Sequence, residues 1–199
     1  MSLIYDNAIL KSMEEQSSTI ADTRSFVEPE VARLINTYII SLNAKNVLEF
    51  GTCIGYSGIW MAEALKKTDG MLTTIDYDIA LLKEAKINFE KAGVSDRIKI
   101  IEGDIAEVTK RLPSNAFDIV IQDARKSLYP TMLEECIRLV RTSGVIIADD
   151  TLYSRKGTAE KLSKHLKEYN DLVFNDPRLY STIIPVGQGL TISVKTKKD

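Results

Sequence analysis

A chain of 199 residues that is 44% hydrophobic and 27% charged suffices for one domain with its own core, without disulfide support. Its 26 basic and 28 acidic residues give a net charge of -2, which carries no polyanion-binding signature and weighs against avid nucleic-acid binding, while leaving room for a local basic patch. No apolar run reaches membrane-spanning length, residues 1–10 are broken by Tyr5, Asp6 and Asn7 and do not read as a signal peptide, and Cys53 and Cys136 have no metal-type spacing, so a reduced, cytoplasmic setting is expected.

In chain order, residues 6–20 predict a polar helix with Leu10, Met13 and Ile20 as sparse apolar positions. Pro29 suits the first turn of a second helix, whose apolar face is Val31, Leu34, Ile35, Tyr38 and Ile39. Short apolar runs follow at 46–50, 71–75, 97–101, 117–122 and 144–148. Helical patterns separate them at 57–67, 78–92, 104–111 and 129–141, with Asp78 as an N-cap and Gly93 as a C-cap. Strands alternating with helices imply an α/β fold, a parallel sheet with helices on both faces. A last helix near 157–169 precedes two strands, 181–186 and 190–195, joined through Gly187, Gln188 and Gly189. That hairpin adds antiparallel pairing at one edge. No linker divides the chain, so a single domain is expected, with residues 1–28 as a helical appendage.

The most informative segment is 46–57, NVLEFGTCIGYS. An apolar run ends near Glu49, two glycines follow at 51 and 55, and a helical pattern starts at Tyr56 and Ser57. A sharp strand-to-helix turn offers free backbone N–H groups and a positive helix end, while glycine keeps the turn tight and lets a ligand approach. Ligands of open parallel sheets bind beyond the carboxyl ends of the strands. Here all five ends are acidic: Glu49; Asp76 and Asp78; Glu102 and Asp104; Asp123; Asp149 and Asp150. Asp78 and Asp104 also read as helix caps. Asp76, some twenty residues beyond the glycine turn, suits the two hydroxyls of a ribose. Asp123, Asp149 and Asp150 form a second group, on neighbouring strand ends. Close carboxylates repel unless a cation lies between them, and hard oxygen donors without His or Cys select Mg²⁺, Mn²⁺ or Ca²⁺. Lys126 can reach the same place to steady an oxyanion or take a proton. His165, the single histidine, reads as a solvated helix residue, Cys53 as a small turn side chain and Trp60 as core.

These segments together resemble the cation-dependent O-methyltransferases, the group of the catechol and caffeoyl-coenzyme A enzymes. The matching stretches are VLEFGTCIGYS (47–57), TTIDYD (73–78), EGD (102–104), FDIVIQDARKSLY (117–129) and SGVIIADDTLYSRKG (143–157). The resemblance runs from Pro29 onward. It implies a Rossmann-like class I methyltransferase fold with seven strands, mostly parallel, and S-adenosylmethionine as methyl donor. It places Glu49, Gly51, Tyr56 and Ser57 at the methionine end of that cofactor, Asp76 on its ribose, and Tyr77 and Asp104 beside its adenine, with Asp123 bordering it. It makes Asp123, Asp149 and Asp150 the metal ligands and Lys126, with Asp123, the catalytic residues. The family's fifth strand ends in Asp-Asn, and this one ends in Asp149-Asp150, which adds negative charge. The segment before Pro29 matches little, so the resemblance does not carry over an acceptor.

The function expected is metal-dependent O-methylation of a small catechol-like hydroxyl by a homodimeric enzyme. An alternative acceptor is a hydroxylated nucleoside in tRNA, for which Arg24, Arg125, Arg155 and Lys156 would supply a patch. A non-catalytic cofactor sensor would need neither Lys126 nor the three aspartates. A nicotinamide-dependent oxidoreductase is opposed by the missing central glycine of the turn and by the lack of a Tyr-x-x-x-Lys or His pair.

Overall fold

The runs 119–121 and 145–148 are apolar at consecutive positions, the pattern of strands covered on both faces. The computed structural model describes residues 7–19, 26–152 and 159–197. In it the strands β1 (Asn46–Phe50), β2 (Met71–Asp76), β3 (Ile98–Glu102), β4 (Phe117–Gln122), β5 (Val140–Ala148), β6 (Leu179–Ile184) and β7 (Leu190–Lys195) form one seven-stranded sheet. Their order is β3-β2-β1-β4-β5-β7-β6. The first five are parallel, and β7 runs antiparallel to both β5 and β6. This is the Rossmann-like arrangement expected, hairpin included.

Alternate residues of a strand point to opposite faces. Val47, Ile119 and Ile121 join one core cluster, while Leu48 and Val120, each adjacent in sequence to one of these, join the other. The first cluster is covered by α1 (Ala8–Thr19), α2 (Pro29–Ser41), α3 (Tyr56–Thr68) and α4 (Ile79–Ala92). The second is covered by α5 (Ile105–Thr109), α6 (Leu128–Leu139) and α7 (Ala159–Asn175). Helices on both faces follow from these two buried sides.

Caps set several boundaries as the sequence implied. Asp78 accepts from the N–H of Ala80 and Leu81, and Gly93 closes α4 in the left-handed conformation. Asp104 caps α5 in the same way, but that helix stops at Thr109 rather than near 111. β5 begins at Val140, four residues before the expected run, because Phe117 pairs with Val140 and Ile119 with Val145 across an irregularity. α7 continues to Asn175, past the expected 169, held by buried Tyr169 and Val173 beneath polar positions on its outer side. The start expected for it near 157 lies outside the described residues. β6 spans Leu179–Ile184, two residues earlier than read from the sequence. The sheet reverses its strand order between β1 and β4, and there the strand ends diverge to leave a crevice.

Candidate active site

Above that switch point lies a cleft of about 600 Å³. Gly51, Cys53, Asp76, Tyr77, Asp104, Asp123, Arg125, Lys126 and Asp150 line it. A groove of about 950 Å³ between α6 and α7 is larger, but none of the strand-end carboxylates lines it.

The glycine turn is built for close packing of the chain upon itself. Gly51 has φ +101°, and a Cβ there would lie 2.5 Å from the Asp123 carbonyl oxygen. A Cβ on Gly55 would strike the Phe89 ring at 2.5 Å. The glycines therefore answer first to the β4 end and to α4, although Gly51 also lines the cleft. Asp76 braces the same turn. Its Oδ2 accepts from the Cys53 N–H at 2.9 Å and its Oδ1 from the Asp78 N–H at 3.1 Å.

Glu49 lies behind the turn and is fully buried. Ser57 Oγ donates to it at 2.5 Å and Thr74 Oγ1 at 2.7 Å. Burial pushes its carboxyl up to about 7 against those two bonds, and the nearby charges of Asp123 and Asp76 add to the rise. Tyr56 is also committed elsewhere: its ring stacks on Phe26 at 4.8 Å and its hydroxyl donates to Glu14 Oε1 at 2.6 Å. Tyr56 and Ser57 border only a recess of about 60 Å³, shared with Phe26, Val27, Gly51, Thr52, Cys53 and Asp123. So of the four residues expected near a methionine end, Gly51 lines the main cleft and the other three support or border it. Across the cleft, Tyr77 is 58% exposed with the Arg125 guanidinium 5.4 Å above its ring. Asp104 lines the cleft while its Oδ1 caps α5.

Lys126 gathers the second group. Its ammonium lies 3.1 Å from Asp150 Oδ2 and 3.5 Å from Asp123 Oδ1, and it donates to the Tyr129 hydroxyl at 2.8 Å. Tyr129 in turn donates to the Gln122 carbonyl at 2.7 Å, so it props the lysine from the end of β4. Burial opposes the charge on Lys126, but Tyr129, Asp123 and Asp150 outweigh it and raise its pKa. Burial also raises Asp123 and Asp149, and for Asp149 the charges of Asp123 and Asp150 add to it. Asp149 is 3% exposed, and its Oδ1 has no hydrogen-bond partner. Asp150 has φ +59°, a left-handed conformation that Asp and Asn tolerate better than other residues with side chains. The backbone thus restricts this position to a short polar side chain and leaves open whether it is charged.

The carboxylates that converge most tightly differ from those expected. Glu28, Asp149 and Asp150 each bring an oxygen within 4.8 Å of the others, whereas Asp123 is not part of that set and has the Lys126 ammonium 3.5 Å from its Oδ1. Sequence reasoning missed Glu28 and Tyr129. The Lys126-to-Tyr129 spacing of three on a helical pattern was a usable signal, but nothing local marks Glu28. Of the four basic residues expected in a patch, Arg24, Arg155 and Lys156 lie outside the described residues, and Arg125 is stacked on Tyr77. His165 is on α7, away from the cleft, and Trp60 is buried in the core, both as read from the sequence.

Among the described residues no helix is long and apolar enough to cross a membrane. An O-methyltransferase family matches residues 2–196. A provisionally named O-methyltransferase of Mycolicibacterium smegmatis is 32% identical over 197 residues, covering 96% of this chain and 92% of that protein. A provisionally named caffeoyl-CoA O-methyltransferase from Staphylococcus aureus has a crystal structure that aligns with a TM-score of 0.84 at 26% identity, covering 94% of this chain and 91% of that one. An O-methyltransferase from Bacillus cereus, crystallised in complex with S-adenosylhomocysteine, has the same fold, with a TM-score of 0.83 at 22% identity over 98% of this chain and 94% of that one. With residues 2–196 matched, the expected sheet order present and its carboxylates gathered at the switch point, this chain belongs to the O-methyltransferase family.

Proposed function

We propose that this enzyme methylates a hydroxyl of a small catechol-like molecule, with S-adenosylmethionine as donor and a divalent cation at the rim carboxylates. The observation that carries this reading is the ammonium of Lys126 set between Asp123 and Asp150 beside the cleft that Asp76 borders. A cofactor sensor has no use for that grouping.

The cleft suits the cofactor. Asp76 stands where a carboxylate can accept ribose hydroxyls, and Tyr77, Arg125 and Asp104 border the place where a base can lie flat. The backbone N–H groups of the α3 N-terminus offer donors toward a carboxylate at the Gly51 end, while the Ser57 hydroxyl is spent on Glu49. Glu49 acts through the turn, by holding Ser57 and Thr74. The aspartates suit a hard cation: all donors are oxygen, and Asp149 Oδ1 is a buried acceptor without a partner. Asp149, Asp150 and Asp123 would hold that cation. When bound it supplies Lewis acidity that lowers the pKa of an acceptor hydroxyl, and two-point chelation favours vicinal oxygens.

Methyl transfer would form a carbon–oxygen bond as the sulfur–carbon bond breaks and S-adenosylhomocysteine leaves, with the acceptor's proton passing to solvent at the open cleft. Lys126, held protonated by Asp123 and Asp150, presents positive charge to the developing oxyanion. It becomes a base only when the charge of those two carboxylates is otherwise offset. Tyr129 and the β4 end fix its position, and the walls of the cleft align acceptor and donor.

The test is a methyl-transfer screen over catechols, flavonoids and tRNA, with Mg²⁺ or with excess chelator. Turnover of a catechol that chelator abolishes and Mg²⁺ restores is the expected result. Transfer to tRNA alone would replace the acceptor, full activity in chelator would remove the cation, and cofactor binding with no turnover of any acceptor would favour the sensor.

A further inference from the structure

We propose that Glu28, at the start of α2, is a further carboxylate ligand of the cation site, so that the bound cation ties the start of α2 to the end of β5. This rests on the reading of the rim as a divalent-cation site. Its carboxylate, with those of Asp149 and Asp150, forms a set of oxygens all within 4.8 Å of one another. Oxygens of one Mg²⁺, Mn²⁺ or Ca²⁺ shell lie about 2.0–2.6 Å from the ion, so a spread of this size fits a single ion.

Three further observations support it. Asp149, a member of this set, is 3% exposed, and its Oδ1 is buried without a hydrogen-bond partner. A buried carboxylate oxygen left in that state is costly, and a cation removes the cost. Glu28 is not spent on capping: it is the N-cap residue of α2 yet makes no side-chain cap bond, and Glu is a poor residue for that purpose. Space for it is also built in. A Cβ on Gly187 would lie 2.6 Å from Glu28 Oε2, and Gly187 has φ +55°. The turn between β6 and β7 therefore carries no side chain where the Glu28 carboxylate stands. That turn is fixed to the Asp149–Asp150 loop by Thr151 N–H to the Gly189 carbonyl at 2.9 Å and Leu152 N–H to the Gln188 carbonyl at 2.8 Å. The start of α2, the end of β5 and this turn thus meet at one point, with negative charge from two of them. Lys126 pairs with Asp150 and Asp123 on the cleft side and bonds the Asp149 main chain rather than its carboxylate.

The experiment is direct Mn²⁺ binding, followed by electron paramagnetic resonance and calorimetry, on the wild-type chain, Glu28→Ala and Glu28→Asp. S-adenosylhomocysteine binding and the thermal unfolding midpoint in chelator serve as folding controls. Removing one charged ligand should weaken Mn²⁺ on the order of tenfold or more, since ligand charge count sets affinity in such sites. Glu28→Asp keeps the charge but shortens the reach, and should lose nearly as much. Wild-type affinity in Glu28→Ala would overturn the proposal, and wild-type affinity in Glu28→Asp would reduce Glu28 to a charge acting at a distance. If the wild-type chain itself binds no Mn²⁺, the cation reading of the rim fails, an outcome distinct from the failure of Glu28 alone. Should the variants not fold, amide exchange on the wild-type chain decides: saturating Mn²⁺ should slow residues 26–32, and unchanged exchange there would overturn the tie to α2.

Discussion

Lys126 Nζ stands 3.1 Å from Asp150 Oδ2, and Asp150 occupies a left-handed backbone position with φ +59°. The ammonium of this chain therefore has a charged partner at a backbone position that would equally accept the neutral amide of Asn. The activity of Lys126 and the charge of the carboxylate group are linked through that contact.

Lys126→Ala should lower kcat by about 10²–10⁴-fold while cofactor affinity stays near wild type. If its main contribution is positive charge, Lys126→Arg should retain more activity than Lys126→Ala, and the loss should shrink for acceptors whose hydroxyls are more acidic. Steady-state kinetics over a series of substituted catechols, with cofactor binding measured in parallel, checks this. An alanine variant of unchanged kcat would confine Lys126 to a structural role.

Asp76 is best tested as Asn rather than Ala. Its two oxygens accept from the Cys53 and Asp78 N–H groups, so alanine would loosen the turn as well as remove the charge. Asp76→Asn keeps one acceptor. It should weaken S-adenosylmethionine binding by about 1.5–3 kcal/mol, roughly ten- to a hundredfold, through loss of a charge-assisted bond. Calorimetry that finds equal affinity would take Asp76 out of ribose binding.

Glu49 makes folding stability depend on pH. Its carboxyl is pushed up to about 7 in the folded chain, against an ordinary value of 4.5. Below both values the group is protonated in either state and contributes no slope. Between them the folded state holds more protons than the unfolded one, so stability falls as pH rises; above both values the penalty is constant. Glu49→Gln should therefore lose less stability than wild type between pH 5 and 7, by up to about 1.4 kcal/mol per pH unit. Urea unfolding at several pH values measures the difference, and parallel curves would show that Glu49 ionises normally.

Gly51→Ala should destabilise the fold and displace Asp123. The new Cβ would sit 2.5 Å from the Asp123 carbonyl at φ +101°, a conformation that alone costs about 1–3 kcal/mol. Because Asp123 faces Lys126, methyl transfer should fall further than the unfolding midpoint suggests at assay temperature. A variant with wild-type stability would mean that the turn and the β4 end relax apart freely.

The alternation of strands and helices, the reversed last strand and the acidic residue at each of five strand ends were all legible in the chain, because they rest on local periodicity and caps. Asp78 and Gly93 bound α4 as read, and Asp76, Asp123 and Lys126 line one cleft because strand ends of a parallel sheet share a rim. What was not legible depends on contacts between distant segments. Glu28 reaches Asp149 and Asp150 only because the β6–β7 turn presents Gly187 beside it, more than 150 residues on in a numbering where neither residue marks the other. Glu49 and Tyr56 carry the residue types of a binding site, yet Ser57, Thr74 and Glu14 claim their polar atoms. A sequence pattern specifies which groups stand near the rim. Which of them face the cleft, and which are consumed in holding it open, is decided by packing and hydrogen-bond satisfaction in the folded chain, because a buried polar atom must find a partner wherever the fold supplies one.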